Sequence, residues 1–173
     1  TTPAHIQAIA QALKDIAPRE LPKADSSLTL SGLDNIAVNA SGKGFTPIGE
    51  RTNVAGSAKF ARLIREKNYA EAVNIARQQV NAGVSIIDIN LDDALLNGPE
   101  EMTRFVRLIG NEPDIARAAF MTDSSNWETL LAGLKNNPGK GIANSISLKD
   151  GEEEFIRKAK EIHRLGADGH TRS

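Results

Sequence analysis

From residue 44 onward, short apolar runs alternate with longer stretches in which apolar residues recur every three or four positions. That alternation predicts repeated strand–helix units, the order expected of a parallel sheet or barrel. The first expected strand is Phe45 to Gly49, followed by a helix starting at Ser57 that turns Phe60, Leu63 and Ile64 inward. Asn68, with Glu71 three positions on, opens a second helix whose stripe of Ala72, Val73, Ala76 and Val80 ends near Gly83. The second strand, Val84 to Asn90, is apolar on both faces until Asp88 and Asn90, as in a strand covered on both sides. Pro99 then starts a helix carrying Met102, Phe105, Val106 and Ile109. A third strand from about Ala118 to Thr122 precedes a capping box of Ser125 and Glu128 and the helical residues Trp127, Leu130, Leu131 and Leu134. The fourth unit is Gly141 to Ile146, then Asp150 with Glu153 as a cap pair ahead of Phe155, Ala159 and Ile162, closing at Gly166. Residues 167–173 hold no apolar run suited to a buried parallel strand, so the pattern predicts four units and a halt.

Ahead of these units, Ile6, Ile9, Leu13 and Ile16 predict an amphipathic helix over residues 3–17, closed by Pro18. Residues 18–43 are rich in Ser, Asp, Asn, Gly and Pro, and only Leu28-Thr29-Leu30 suggests an extended piece; they are expected to form a linker.

Composition narrows the function. At 173 residues the chain is sized for one well-cored domain. Its 21 Lys and Arg nearly cancel 22 Asp and Glu, leaving a net charge of -1 and no bulk field for a phosphate backbone or anionic membrane. With aromatics at 4%, base stacking is also poorly served, so a nucleic-acid module is disfavoured. The absence of cysteine removes disulfides, thiolate catalysis and thiolate zinc sites, and suits a cytoplasmic setting. No apolar run approaches the roughly 20 residues of a membrane span. The chain starts without Met and reads as an excised segment. His5, His163 and His170 are dispersed and expected at the surface, and Gly42-Lys43-Gly44 and Gly139-Lys140-Gly141 lack P-loop spacing and are expected to be turns. Glu152-Glu153-Glu154 fits the first turn of a helix, where acids favour the dipole.

The chemistry is expected where strands end. At or near the four carboxyl ends stand Glu50, then Asp88 and Asn90, then Asp123, then Asn144, all polar where apolar residues are the norm. In a parallel barrel such positions converge on one face. Period two places Asp88 and Asn90 on one side of their strand and Ile87 and Ile89 on the other. Buried acids need donors, so this set suits a flat ligand offering adjacent N–H groups beside a carbonyl or ring nitrogen, such as a pterin or guanine-like edge. The competing assignment, residue by residue, is that Asx side chains cap loops and satisfy turn backbone.

The string Ile48-Gly49-Glu50-Arg51-Thr52-Asn53-Val54-Ala55-Gly56-Ser57-Ala58-Lys59-Phe60 resembles the opening of the pterin-binding module of the cobalamin-dependent methionine synthase family. In the same register follow Ala76-Arg77-Gln78-Gln79-Val80, Ile86-Ile87-Asp88-Ile89-Asn90, Thr122-Asp123-Ser124-Ser125, Gly139-Lys140-Gly141 and Asn144-Ser145-Ile146-Ser147, so the likeness runs from Phe45 to Ala167. Thr1-Thr2-Pro3-Ala4-His5-Ile6 resembles the segment after the paired zinc-ligand cysteines of that family's homocysteine module; those cysteines are not in this chain. The resemblance implies residues 1–17 as the tail of that module, 18–43 as a linker and 44–173 as the first half of a TIM-like (β/α)8 barrel.

It further implies a methyltransferase that binds 5-methyltetrahydrofolate and presents its N5 methyl group to cobalamin on a separate domain, the methyl passing on to homocysteine to give methionine. Zinc is implied only in the upstream module. Asp123 and Asn144 match the family's pterin contacts most closely, and Glu50, Asn53, Asp88 and Asn90 match further pocket positions. In this assignment Asp123 accepts the paired donors of the pterin 2-amino and N3–H groups while Asn144 serves a neighbouring edge. The implied partners are the folate substrate and the cobalamin- and homocysteine-binding domains of a full-length protein, with no nucleic acid and no membrane. Two departures stand out: Pro47 falls inside the first expected strand and removes a ladder donor, and Thr122 takes a place where an aliphatic residue is expected. Four strands of eight leave two open edges, so the chain alone is expected to be inactive. The competing functions are another pterin-barrel enzyme, similar to dihydropteroate synthase or a corrinoid methyltransferase, and a non-catalytic folding or interaction module.

Overall fold

A computed structural model describes residues 1–21, 28–38 and 44–172. Helix α1 (Pro3–Leu13) ends earlier than its apolar spacing predicts. Its capping box is made by Thr2, whose Oγ1 accepts from His5 N at 3.4 Å, and His5, whose Nδ1 accepts from Thr2 N at 3.2 Å. None of its residues is buried; Ile6, Ile9 and Leu13 form an exposed stripe.

Within the segment expected as linker, β1 (Thr29–Ser31) and β2 (Asn35–Ala37) pair antiparallel. The hairpin then docks. Ser31 N donates to Lys140 O at 2.9 Å, Lys140 N donates to Ser31 Oγ at 2.9 Å, and Leu33 N donates to Ala116 O at 2.8 Å. Glycine is required at the crossing, because a Cβ on Gly139 would lie 2.0 Å from Ser31 O.

The body is a parallel sheet in chain order: β3 (Ile48–Asn53), β4 (Ile86–Asn90), β5 (Ala119–Asp123), β6 (Ile142–Ser147) and β7 (Asp168–Arg172). Its crossover helices are α2 (Ala58–Arg65) and α3 (Tyr69–Asn81), α4 (Gly98–Gly110) and the short α5 (Pro113–Ala116), α6 (Trp127–Asn136), and α7 (Glu152–Arg164). This is an α/β fold with consecutive strands adjacent, the arrangement the βα repeat predicts.

Several expectations need correction. The first strand is Ile48–Asn53, not Phe45 to Gly49: Phe45 is exposed, Pro47 precedes the ladder and removes no donor from it, and the polar string after Gly49 carries the pairing. Among the described residues it is an edge strand with no second neighbour to bury it, so apolar content is a poor guide to its extent. A fifth strand does follow Gly166. β7 pairs with β6 from Ile142↔Asp168 to Ser147↔Arg172, with a register shift between Asn144 and Ile146. Edge pairing needs main-chain donors and acceptors rather than an apolar run, and that is the criterion the sequence pattern omitted. The cap of α6 is Asn126, whose Oδ1 accepts from Thr129 N at 3.0 Å, rather than Ser125. Asp150 does not cap α7 either; it lies in a 3-10 turn and binds Lys158 Nζ at 2.8 Å, while Gly151, at φ +95°, leads into the helix.

The main core fills the space between the outer face of the sheet and its helices, where Phe60 meets Phe105 edge to face at 5.1 Å beside Ile87, Ile89 and Phe120. A second cluster joins Leu130 and Leu134 to Ala143, Ile146 and Ile162. On the inner face, hairpin residue Leu30 covers Ile86, Ala119 and Met121, with Ile36, Val38 and Ile142 at its margin. One buried acid serves the helix layer: Glu101 accepts from Lys67 Nζ at 2.5 Å and from the Tyr69 hydroxyl at 2.7 Å. Burial pushes its carboxyl upward, but the hydrogen bonds and charge from Lys67 and the Tyr69 hydroxyl outweigh this and hold it below the ordinary carboxylate value. Among the described residues no helix is long and apolar enough to cross a membrane.

Candidate functional site

The inner face ends in a row of polar residues. Cα pairing sets Asn53 beside Asn90, Asn90 beside Asp123, and Asp123 beside Asn144. Three strand spacings of about 4.8 Å make this row roughly 14 Å long. Asp88 stands one inner position lower, opposite Met121. By backbone register His170 occupies the next place after Asn144.

The row is hydrogen bonded within itself. Asn53 Nδ2 donates to Asp88 Oδ2 at 2.7 Å, and Asn90 Nδ2 donates to Asp123 Oδ2 at 3.0 Å. The same two amides also hold loops: Asn53 Oδ1 accepts from Ala55 N at 2.9 Å and Gly56 N at 3.1 Å, and Asn90 Oδ1 accepts from Asp92 N at 3.0 Å. Turn capping and carboxylate orientation are therefore not alternatives here. Each amide spends its oxygen on the turn and its nitrogen on an acid.

Asn144 differs. Its side-chain oxygen is buried and has no hydrogen-bond partner among the described residues. Its backbone carbonyl accepts from Ser124 N at 2.8 Å, so the main chain is engaged while the side-chain acceptor is not. An unmet buried acceptor costs about 1–3 kcal/mol, which a ligand N–H can return.

Glu50 does not join the row. It lies in the middle of β3, exposed, where the ladder is interrupted, and not at the strand's carboxyl end as expected; that end is Asn53. The other five predicted positions, Asn53, Asp88, Asn90, Asp123 and Asn144, come together on one face.

Residues that pattern reading did not single out brace the loops above the row. Asp92 Oδ1 accepts from Ser124 Oγ at 2.5 Å, while its Oδ2 accepts from Ser125 N at 2.6 Å and Ser125 Oγ at 2.7 Å, tying the loop after β4 to the loop after β5. Asp93 accepts from Leu95 N at 2.9 Å and from Arg65 Nε at 2.7 Å. The Leu95 N–H first and the Arg65 guanidinium second hold its carboxyl below the usual range. On the helix-covered side, Gln79 of α3 and Thr52 of β3 are buried polar groups bonded to each other. Their signal in the sequence was a glutamine within an otherwise apolar helical stripe. Thr122 is fully buried on the outer face, where a Cβ on Gly133 of α6 would lie 2.3 Å from its methyl group, so a small residue on each side lets strand and helix close up.

Size does not locate this site: a surface concavity of about 720 Å3 runs along α7 and contains none of these residues. Among the described residues, no group of three or more His, Cys, Asp or Glu is arranged to hold a metal ion. The arrangement can present acceptors and oriented amides to a flat, donor-rich ligand at the carboxyl ends of parallel strands, the usual binding face of parallel α/β proteins.

These features define a ligand-binding parallel α/β domain. The family model described as "Pterin binding enzyme" matches residues 49–165, more than half the chain, and includes all five residues of the polar cluster. The chain belongs to the pterin-binding enzyme family.

Proposed function

We propose that this chain is the pterin-holding part of a TIM-like barrel methyltransferase that binds 5-methyltetrahydrofolate and hands its N5 methyl group to cobalamin on a separate domain, and from there to homocysteine. The observation that carries this reading is the row from Asn53 to Asn144, with two acids oriented by amides and one buried amide oxygen lacking a partner. The family match supports the pterin, and the likeness of the opening segment Thr1 to Ile6 and of the string Glu50-Arg51-Thr52-Asn53 supports the methyltransferase over other pterin enzymes.

In this reading Asp123 accepts the pterin N3–H and 2-amino donors. Asn90 Nδ2 donates to one of its oxygens and so fixes the carboxylate's orientation toward those donors. The Asn144 oxygen accepts a further N–H, and Asn53 and Asn90 keep the acids in place. The chain's own residues thus bind and orient the ring and withdraw its polar edge from water, while cobalamin on a separate domain would supply the methyl acceptor. No described residue is assigned to hold that cofactor.

Calorimetric titration of the folded chain with 5-methyltetrahydrofolate tests the reading. Binding at micromolar ligand is expected, weakened roughly tenfold to a hundredfold by Asp123→Asn through loss of charge-assisted hydrogen bonds. A folded chain that gives no heat overturns it.

A further inference from the structure

Asn53 joins the polar row only because β3 carries one extra residue. Gly49 pairs with Ile87 and Thr52 with Ile89, so three steps along β3 match two along β4. Side chains alternate along a strand, and one added residue exchanges the faces of everything beyond it. Ile48 lies beside Ile86 on the inner side; without the bulge Asn53 would turn to the helix-covered side, away from Asp88. Among the described residues β3 is an edge strand, with no second strand to hold this irregularity.

The helix layer holds it instead. Gln79 of α3 is 7% exposed; its Oε1 accepts from Arg51 N at 2.8 Å and its Nε2 donates to Thr52 Oγ1 at 3.3 Å. Thr52, fully buried, passes the connection on by donating from Oγ1 to the Asp88 carbonyl at 2.5 Å, where the ladder is interrupted. Gly49 makes room, since a Cβ there would stand 2.6 Å from Gln79 Oε1. Both polar ends of one buried amide are therefore committed to the two residues that form and follow the bulge.

We propose that Gln79 is a positioning residue: through Arg51 N and Thr52 Oγ1 it locks the β3 bulge and so aims Asn53 at Asp88. Its consequence for binding rests on the pterin reading of the row; the locking does not.

The test uses the full chain with Gln79→Met, which fills similar space and removes both hydrogen bonds. Without ligand, hydrogen exchange at the Arg51 amide is expected to quicken at least about tenfold and the Asn53 side-chain NH2 resonances to move. Gln79→Glu, which keeps the acceptor for Arg51 N–H, is expected to retain Arg51 protection. With 5-methyltetrahydrofolate, Gln79→Met is expected to weaken binding about tenfold in the wild-type background and far less in an Asn53→Ala background. Equal loss in both backgrounds, or unmoved Asn53 resonances, overturns the proposal. Should Gln79→Met fail to fold, Thr52→Val removes the hydroxyl relay at constant shape and faces the same two readouts. If the wild-type chain binds no folate, the pterin reading fails while the Arg51 and Asn53 signals still decide the locking.

Discussion

Along the inner face of the sheet, the two ends of the same strands have opposite character. At the amino end Ile86 and Ala119 lie dry beneath Leu30 of the hairpin. Two residues beyond Ile86 stands Asp88, and beyond it the row of Asn53, Asn90, Asp123 and Asn144. A middle layer of Asp88, Met121 and Ile142 mixes both kinds. The division shows how one set of strands separates tasks: burial at the covered end contributes stability, which allows the carboxyl end to keep polar groups that contribute little to it.

The strongest way to break this comparison is Leu30→Ala. Leu30 is almost completely buried, and its truncation leaves a cavity between hairpin and sheet, expected to cost about 2–5 kcal/mol in urea unfolding. Affinity of the folded protein for 5-methyltetrahydrofolate should stay near wild type, because the row keeps its own hydrogen bonds. If the affinity drops as far as it does for Asp123→Asn, the two ends are coupled and the division fails.

Glu101 sharpens the contrast between acids. Like Asp123 it is a buried carboxylate, but it accepts hydrogen bonds from Lys67 and Tyr69 in the helix layer rather than from the polar row. Its folded-state carboxyl lies below the ordinary value, so its contribution to stability is present in full above that value and is lost as pH falls through the folded one. Glu101→Gln is expected to cost about 1–3 kcal/mol at pH 7 and to flatten the decline in stability as pH falls through and below the ordinary carboxylate value. An unchanged acid limb in the variant would remove Glu101 as its source.

How far this division could be read from the sequence depends on which forces set each part. Helix starts at Ser57, Asn68 and Pro99 and the strands β4 to β6 within a residue or two were legible, because caps and apolar runs are local. The hairpin, the bulge and β7 were not. Leu30 is buried by partners 56 to 91 positions away, Ile86, Ala119 and Met121, amid otherwise polar residues. The bulge depends on Gln79 reaching back to Arg51, and β7 on main-chain pairing that leaves no mark in apolar pattern. Polar residues near strand ends marked the region of the row, but placing Glu50 at an end required knowing the register that the bulge sets.

Asn144→Ala gives the smallest effect and the one that separates the two ends most cleanly, because its sign differs between readouts. At the covered end, truncation removes contacts and stability falls. At Asn144, truncation removes a buried oxygen that the described chain leaves unsatisfied, so the unfolding midpoint is expected to hold or rise slightly. Binding of 5-methyltetrahydrofolate is expected to weaken by up to about tenfold, the worth of one hydrogen bond to the ligand. Measured together, melting temperature and affinity should therefore move apart. A variant that melts markedly lower would instead place Asn144 with Leu30, as a residue whose main service is to the fold.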